Sequence, residues 1–357
     1  MKKLLLFFLL IFLFIPCVNA STTTASSYIL MDGTTGRVLL SKDMNNPRLI
    51  ASITKIMTCI IVIENTDINT IVTVDESILS SYGSGIYIQI GEEITVKDLL
   101  YGLMLRSGND AAIMLASYIS NSEEEFVKLM NNKAKEIGMK NTTFNNSSGL
   151  DEKGGNYSTS YDMALLTRYA MNNETYREIV KTKEYTSKTN YKTYVWTNKN
   201  KLLNYDYITG GKTGYTIKAH RTLVSTATIN NMNLIVVTLN DSDDWNTHLS
   251  LYEYAKNNYV SYKVLNKDNY NIKDNYFNGN LYIKNDVYIP FKKSETDSLI
   301  SHIKLYKTKD YKDGDIVGVN QIIYNDEVIY EEDIYILTNK KIDTKENIFT
   351  RLRKWFK

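Results

Sequence analysis

Apolar positions repeat with two different periods along the chain, and each period predicts one kind of element. Between residues 27 and 40, two short apolar runs flank the turn residues 32–36, which predicts a β-hairpin. The segment 52–64 is apolar on nearly all sides, which indicates a buried helix. Helical periodicity predicts further helices at 96–104, 110–120, 122–137, 160–171 and 248–257.

Alternating patterns dominate the second half of the chain. Residues 221–229 and 232–239 have a period of two and meet at Asn230-Asn231, which predicts two paired strands. Beyond about Lys263, β-rich segments cover 280–289, 316–324 and 327–337, with Asn-Gly and Asp-Gly pairs between elements. We therefore expect a mixed domain at 21–262 and a small β-rich domain at 263–345.

The first 20 residues have the pattern of a secretory signal peptide. Two lysines precede an unbroken apolar run from Leu4 to Ile15, and Ala20 supplies the small residue of a cleavage site. The run is shorter than the ~20 residues that a membrane span needs, and an uncleaved anchor is the alternative. Pro16 disfavours lipidation at Cys17, because a small residue is expected before such a cysteine. The mature chain is expected to be exported.

The last residues, 346–357, predict a short amphipathic tail. Its apolar residues fall on one helical face and its basic residues occupy the rest, so 347–357 can lie on an anionic membrane surface. A terminal helix packed on its own β domain is the alternative. The apolar residues are Ile348, Phe349, Leu352, Trp355 and Phe356, and the basic ones are Arg351, Arg353, Lys354 and Lys357.

The charge balance and the cysteine content limit which classes of function the protein can have. The chain has 42 Lys and Arg against 40 Asp and Glu, and loss of residues 1–20 removes two lysines and no acid. The mature chain then has no net basic field, so we expect no nucleic-acid partner. Cys59 is the one cysteine after residue 20, so no intrachain disulfide is expected.

Ser52-Ile53-Thr54-Lys55 is the first of three short motifs that carry chemistry. Residues three apart on a helix share a face, so Lys55 can accept the proton of Ser52 and create a nucleophile. The helix N-terminus also favours developing negative charge there. An N-cap serine with an incidental lysine is the alternative, and the same spacing recurs at 301–304 within the predicted β domain.

The other two motifs are Ser107-Gly108-Asn109 and Lys212-Thr213-Gly214. A hydroxyl and an amide two residues apart on a turn can face one cleft, although plain turn chemistry also explains them. Lys212 offers a fixed positive charge and Thr213 a hydroxyl for a carboxylate, while Gly214 leaves room for a substrate backbone beside a strand edge. A basic turn before a strand is the alternative for this third motif.

The three histidines give no support for a metal enzyme. His220, His248 and His302 form no local ligand pattern, and the chain has no His-Glu-x-x-His. A zinc peptidase is therefore disfavoured, and no cofactor or metal is implied. Spacing alone leaves a Ser-His-Asp triad open.

Together, the three motifs in this order behind a signal peptide are those of penicillin-binding proteins and class A β-lactamases. The flanking segments 47–58, 107–111 and 211–216 closely resemble low-molecular-mass penicillin-binding proteins of the D-alanyl-D-alanine carboxypeptidase family. Segments 141–151 and 157–164 are similar to the same family. The resemblance runs from about Tyr28 to Tyr259.

This resemblance implies a fold and an activity. The fold is an α/β penicillin-binding or β-lactamase-like catalytic domain, an antiparallel sheet flanked by helices with a helical subdomain, followed by the small β-rich domain. The activity is that of a serine D-alanyl-D-alanine carboxypeptidase, which removes the terminal D-alanine from peptidoglycan stem peptides through an acyl-enzyme. β-Lactams would inhibit it covalently. The implied location is the outer face of the cytoplasmic membrane or the cell wall.

The resemblance also implies roles in acylation. Ser52 would be the nucleophile, Lys55 the general base and Ser107 a proton relay. Lys55 must be neutral for this role, and we expect burial and the nearby charge of Lys212 to lower its pKa from about 10.4.

Five residues are implied in substrate binding. Asn109 would hold the substrate backbone, and Lys212 and Thr213 would bind the terminal carboxylate. Gly214 would allow the substrate to approach, and the backbone N–H of Tyr215 would form an oxyanion hole with that of the nucleophile.

The chain departs from the family pattern at two positions, and one further arginine is of interest. Asn156 stands where the family often has His, and Ser160 stands where Ala is common. These departures put fine substrate preference in doubt but leave the mechanism unchanged. Arg221 is a candidate second partner for the substrate carboxylate.

Two alternative functions remain open. A serine β-lactamase would share the acylation step, but the chain has no Glu-x-x-Leu-Asn stretch for the water-directing glutamate of class A enzymes. A non-catalytic peptidoglycan-binding relative is the alternative from another class. The intact Ser52, Lys55, Ser107, Asn109 and Lys212 argue against it.

Overall fold

The computed structural model describes residues 23–338 apart from positions 153, 271, 273 and 309. The predicted signal peptide at 1–20 and the predicted tail at 346–357 lie outside these residues. Within the described part, no helix is both long and apolar enough to cross a bilayer.

Helices fill the first part of the chain largely where the apolar pattern predicts them. Each predicted helix is confirmed, although the last begins four residues earlier than expected, at Asp244. The helix at 174–181 was not predicted. The helices are α1 (Lys55–Asn65), α2 (Val96–Tyr101), α3 (Asn109–Ser120), α4 (Glu123–Ile137), α5 (Ser160–Ala170), α6 (Glu174–Lys181) and α7 (Asp244–Asn258).

The strands lie at the start of the described chain and in its second half, with four short ones between. The predicted hairpin near residue 30 and the pair joined at Asn230-Asn231 are confirmed. The strands are β1 (Ser27–Asp32), β2 (Val38–Lys42), β3 (Arg48–Leu49), β4 (Ile71–Thr73), β5 (Glu93–Thr95), β6 (Tyr157–Ser158), β7 (Glu184–Lys188), β8 (Thr193–Thr197), β9 (Ile208–Thr216), β10 (His220–Ile229), β11 (Met232–Leu239), β12 (Val260–Leu265), β13 (Gly279–Tyr282), β14 (Val287–Phe291), β15 (Leu299–Leu305), β16 (Ile316–Tyr324) and β17 (Glu327–Thr338).

A five-stranded antiparallel sheet organises the first part of the molecule. Its order is β2-β1-β11-β10-β9, which leaves β9 at one edge. Because side chains alternate along a strand, Val224 and Val237 enter a core with α1 and α5, whereas Leu223 and Val236 enter a second core with α7. Helices therefore cover both faces, as expected for this fold class.

Two irregular turns bring motif residues to the edge of this sheet. Residues Ala51–Thr54 form a 3-10 turn that continues into α1, so the predicted nucleophile precedes the regular helix. After α2, residues Gly102–Arg106 widen into a π-helical turn that ends at Ser107 in the left-handed conformation. The predicted helix at 96–104 is thus regular only as far as Tyr101.

The C-terminal part is β-rich, as predicted, with a four-stranded sheet of order β13-β17-β16-β15 and a separate β12–β14 pair. Residues 280–289, predicted to be β-rich, contain parts of two strands, because residues 283–286 separate β13 from β14, which belong to different sheets. The second Ser-x-x-Lys spacing, at 301–304, lies on the strand β15. Residues three apart on a strand point to opposite faces, so this spacing does not place Lys304 beside Ser301. The exact domain limits at 21, 262 and 345 stay a prediction.

Arg37 connects the two parts of the molecule. Its guanidinium carbon lies 4.7 Å from the ring centre of Phe291 and 5.0 Å from that of Tyr324. It also donates to the carbonyl oxygen of Pro290 at 2.9 Å and pairs with Glu295 at 3.4 Å. The β1–β2 hairpin is therefore held against the C-terminal part.

Candidate active site

The edge strand β9 lies against the 3-10 turn that carries Ser52, and Gly214 makes this contact close. A Cβ on Gly214 would lie 3.0 Å from the backbone nitrogen of Ser52 and 3.1 Å from that of Ile53. Gly214 also lines a cavity in front of Ser52, so its role in making room for a substrate stays a prediction. Thr222 on β10 fixes the same turn by donating to the carbonyl oxygen of Ile50 at 2.9 Å.

Lys55 is completely buried and binds the predicted nucleophile. Its Nζ lies 3.0 Å from Oγ of Ser52, 2.7 Å from Oδ1 of Asn109 and 2.5 Å from the carbonyl oxygen of Ser148. Burial lowers the pKa of Lys55 from 10.5 to about 7, and the charge of Lys199 adds to this effect while Asp110 opposes it. A large neutral fraction of Lys55 therefore exists near pH 7.

Lys212 and Ser107 form a second buried pair beside the first. Nζ of Lys212 donates to Oγ of Ser107 at 3.1 Å and to the carbonyl oxygen of Thr213 at 2.7 Å. Burial holds the pKa of Lys212 well below its ordinary value, and the charges of Lys55 and Lys199 lower it further. The two motif lysines are therefore coupled in one direction, since the charge of Lys55 lowers the pKa of Lys212.

Lys199 is a residue that the sequence reasoning missed. It lines the cavity in front of Ser52, and its Nζ lies 3.4 Å from Oγ of Ser84. Burial and the charge of Arg106 lower its own pKa. We expected the charge of Lys212 to lower the pKa of Lys55, but the nearby charge that does so is that of Lys199. The polar loop Asn198-Lys199-Asn200 carries no sequence signal for this position.

The predicted residues divide between the wall of one cavity and the layer behind it. The cavity has a volume of about 330 Å³. Lys55, Asn109 and Lys212 are buried behind its wall and hold the groups that line it. The lining residues are Ser52, Ser84, Ser107, Lys199, Thr213, Gly214, Tyr215, Arg221, Asp244 and Trp245.

Arg221 lines this cavity but already has a partner. Its Nη2 lies 2.5 Å from Oδ1 of Asp244, and its guanidinium carbon lies 5.4 Å from the ring centre of Trp245. The Asp244 side chain is almost completely buried, whereas that of Arg221 is 40% exposed. The acid therefore positions the guanidinium and leaves part of it open to the cavity.

The two departures from the family pattern lie behind the site. The Asn156 side chain donates to Oγ1 of Thr54 at 2.9 Å and accepts from the backbone N–H of Asn145 at 2.7 Å. Ser160 shares a hydrogen bond of 2.8 Å with Ser27. Both residues are buried and neither lines the cavity. Asn156 supports the nucleophile turn through Thr54, whereas Ser160 connects the start of α5 to β1.

The histidines take no part in this arrangement. His248 is completely buried, and its ring nitrogens face the hydroxyls of Ser225 at 2.6 Å and Thr238 at 3.1 Å. His220 is exposed at the start of β10. A Ser-His-Asp triad built on His248 is thus absent. Across the described ranges, no group of three or more His, Cys, Asp or Glu side chains is placed to hold a metal.

Comparison with known proteins identifies the family. The family model described as D-alanyl-D-alanine carboxypeptidase matches residues 16–243. The chain belongs to this family. It is 42% identical over 220 residues to the D-alanyl-D-alanine carboxypeptidase DacF of Bacillus subtilis (strain 168), a match that covers 60% of this chain and 56% of DacF.

Other members resemble the chain in sequence and in fold. A D-alanyl-D-alanine carboxypeptidase of Streptomyces sp. (strain K15) is 36% identical over 230 residues, covering 59% of this chain and 79% of the relative. Penicillin binding protein 5 from Haemophilus influenzae superposes with a TM-score of 0.68 at 26% identity, covering 90% of this chain and 98% of that protein. This carboxypeptidase-family fold therefore includes the C-terminal β-rich part.

Proposed function

We propose that the protein is a serine D-alanyl-D-alanine carboxypeptidase that removes the terminal D-alanine from peptidoglycan stem peptides. The observation that carries this proposal is the 3.0 Å contact between the buried amine of Lys55 and the hydroxyl of Ser52, at the wall of a cavity. Family membership supports the same chemistry. The roles of individual residues below are part of the proposal.

Acylation begins when neutral Lys55 accepts the proton of Ser52 while Oγ bonds to the carbonyl carbon of the penultimate D-alanine. The C–N bond to the terminal D-alanine then breaks, and the proton that Lys55 accepted passes through the hydroxyl of Ser107 to the leaving nitrogen, which returns Lys55 to its neutral form. Nζ of Lys212 donates to that hydroxyl at 3.1 Å and so orients it for the relay. A water molecule later attacks the ester carbonyl while neutral Lys55 accepts one of its protons, and Lys55 then passes that proton to Oγ of Ser52 as the ester C–O bond breaks.

The cationic and hydroxyl groups along β9 and β10 would bind the substrate. Thr213 and Arg221 line the cavity and Lys212 lies just behind it, so this side suits the terminal carboxylate of the peptide. The backbone N–H groups of Ser52 and Tyr215 would stabilise the oxyanion. β-Lactams, whose carboxylate and strained amide mimic the dipeptide, would acylate the same serine and inhibit the enzyme.

A peptide ending in D-Ala-D-Ala distinguishes this function from its alternatives. We expect D-alanine release and slow hydrolysis of benzylpenicillin. A serine β-lactamase would hydrolyse benzylpenicillin rapidly, and a non-catalytic peptidoglycan-binding relative would release no D-alanine.

Labelling with penicillin tests the nucleophile. Ser52→Ala should abolish covalent labelling, whereas Ser84→Ala, which alters another serine of the same cavity, should retain it. Continued labelling of Ser52→Ala would refute the assignment.

The proposed site of action is outside the cytoplasm, at the outer face of the membrane or in the cell wall. The predicted signal peptide and tail are sequence features and support this location. Deletion of residues 347–357 should release the mature protein from anionic vesicles and leave D-alanine release intact. If the shortened protein sediments with vesicles as before, the tail is not the membrane contact.

A further inference from the structure

A second cavity lies at the opposite end of β9 from the active site. It has a volume of about 290 Å³. Thr209, near the first residue of β9, lines this cavity, whereas Thr213 and Tyr215 line the first one. The end of α5 and the helix α6 contribute Arg168 and Arg177 to its wall. The family motifs include none of the residues that form it.

The sheet surface in this cavity is polar, in contrast to the apolar face around it. Thr226 pairs with Ile235 and Thr228 pairs with Asn233 across β10 and β11, and paired residues share a face of the sheet. Ile235 belongs to the core on the α5 side, so all four side chains lie on that face. Thr226 is buried and shares a 2.7 Å hydrogen bond with Thr209.

Two guanidinium groups border this polar surface without a direct ion pair. Arg168 donates from Nε to the carbonyl oxygen of Gly33 at 3.1 Å and from Nη2 to that of Thr34 at 2.8 Å. Arg177 donates from Nη1 to the carbonyl oxygen of Met171 at 2.7 Å. Among the described residues neither arginine forms an ion pair, and no Asp or Glu lines the cavity. Each guanidinium has five N–H donors, so several remain available.

We propose that this cavity is a second binding site for a small oxyanion, a phosphate or carboxylate group. Planar guanidinium groups bind such anions through charge-assisted hydrogen bonds. The backbone contacts hold Arg168 in a fixed orientation, while Arg177 is exposed and accessible from solvent. The Asn233 amide donates one N–H to Thr34 and has a second N–H that can reach an anion. The site stands on its own geometry and does not depend on the proposed peptidase activity.

The methyl group of Met171 is a local probe of this cavity, because Met171 lines it. The protein would be labelled with 13C-methyl methionine and titrated with inorganic phosphate, with acetate and, at matched ionic strength, with chloride. Met171→Leu assigns the signal. We expect a saturable shift of the Met171 signal with phosphate, a weaker one with acetate, and none with chloride.

Three variants locate the binding group. Arg177→Gln should weaken phosphate binding about tenfold, the effect of losing one charge-assisted contact. Arg177→Lys, which keeps the charge, should retain most of the affinity. Lys181→Gln, an exposed cation at the end of the same helix, should bind as the wild type does. Circular dichroism melting checks that each variant is folded.

Either of two results would overturn the proposal. One is a folded Arg177→Gln protein that binds phosphate as tightly as Lys181→Gln. The other is a Met171 signal that fails to saturate with phosphate or that moves equally with chloride, which would show general screening and no site.

Discussion

The Nζ of Lys55 lies 3.0 Å from the Oγ of Ser52 and is surrounded by two carbonyl-type oxygens that cannot donate. These are Oδ1 of Asn109, at 2.7 Å, and the backbone oxygen of Ser148, at 2.5 Å. A neutral amine has two N–H bonds and one lone pair. When both N–H bonds go to the two oxygens, the lone pair is left for the proton of Ser52. The Ser-x-Asn motif thus orients the base.

The first prediction concerns the pH dependence of acylation. Lys55 acts as a base only when neutral, and its pKa is lowered to about 7. The acylation rate should therefore rise with pH through about 7 and level off above it. Lys55→Arg should lower the rate about 10²- to 10⁴-fold, because a guanidinium stays protonated. Stopped-flow acylation by a chromogenic β-lactam measures both effects.

Lys140→Arg is the matched control, since Lys140 is exposed and far from the motifs in sequence. It should acylate as the wild type does at every pH. Wild-type rates in Lys55→Arg would show that another group removes the proton of Ser52.

The second prediction assigns an electrostatic role to Lys199. Its positive charge lowers the pKa of Lys55, so Lys199→Gln should move the midpoint of the acylation profile to higher pH. Acylation near neutral pH should fall, and raising the pH should restore it. Lys201→Gln removes an exposed charge two residues away and should leave the midpoint unchanged. An unshifted midpoint in Lys199→Gln would contradict this role.

The sequence predicted the motif residues of the site better than the other residues that line the cavity. Ser52, Lys55, Ser107, Asn109 and Lys212 could be named in advance because each belongs to a short motif whose spacing carries information. Lys199 and Trp245 reach the same cavity only through tertiary folding, and no local pattern marks them. Contacts between residues far apart in sequence cannot be read from periodicity.

The prediction of secondary structure from the sequence has a similar limit. Long amphipathic helices such as α4 were predicted because their period is clear. The hairpin β7–β8 was missed because β7 is mostly polar, with Tyr185 as its one apolar residue. The β-rich pattern of 280–289 did not reveal that the segment divides, because it continues across residues 283–286, which separate β13 from β14.

The third prediction concerns stability in acid. Burial lowers the pKa of His248 to about 3, against 6.5 for a free histidine. The unfolded chain then binds a proton below about pH 6.5 that the folded chain does not bind. Folding stability should therefore fall as pH drops from 6.5 towards 3, by on the order of a few kcal/mol in all. Urea unfolding between pH 7 and pH 4.5 measures the slope.

His248→Gln should flatten this slope, although it also lowers stability at pH 7 by disturbing Ser225 and Thr238. His220→Gln is the control, because His220 is exposed and should leave the slope as it is. An equal slope in wild type and His248→Gln would assign the acid sensitivity to other groups.

The fourth prediction concerns the turn that presents Ser52. Gly149 has a φ of +91°, and a Cβ there would lie 2.9 Å from the backbone nitrogen of Ser52 and still closer to the carbonyl oxygen of Ala51. Gly149→Ala must therefore displace the nucleophile turn.

Gly154 is the matched control: its φ is +95°, but a Cβ there would have no neighbour within 4 Å. Both substitutions carry the backbone cost of a left-handed alanine, about 1–2 kcal/mol. Gly149→Ala should lose about 1–3 kcal/mol more through overpacking, and acylation should slow strongly. Thermal unfolding and the acylation rate check the two effects, and equal losses in the two variants would mean that the contact with Ala51 does not position Ser52.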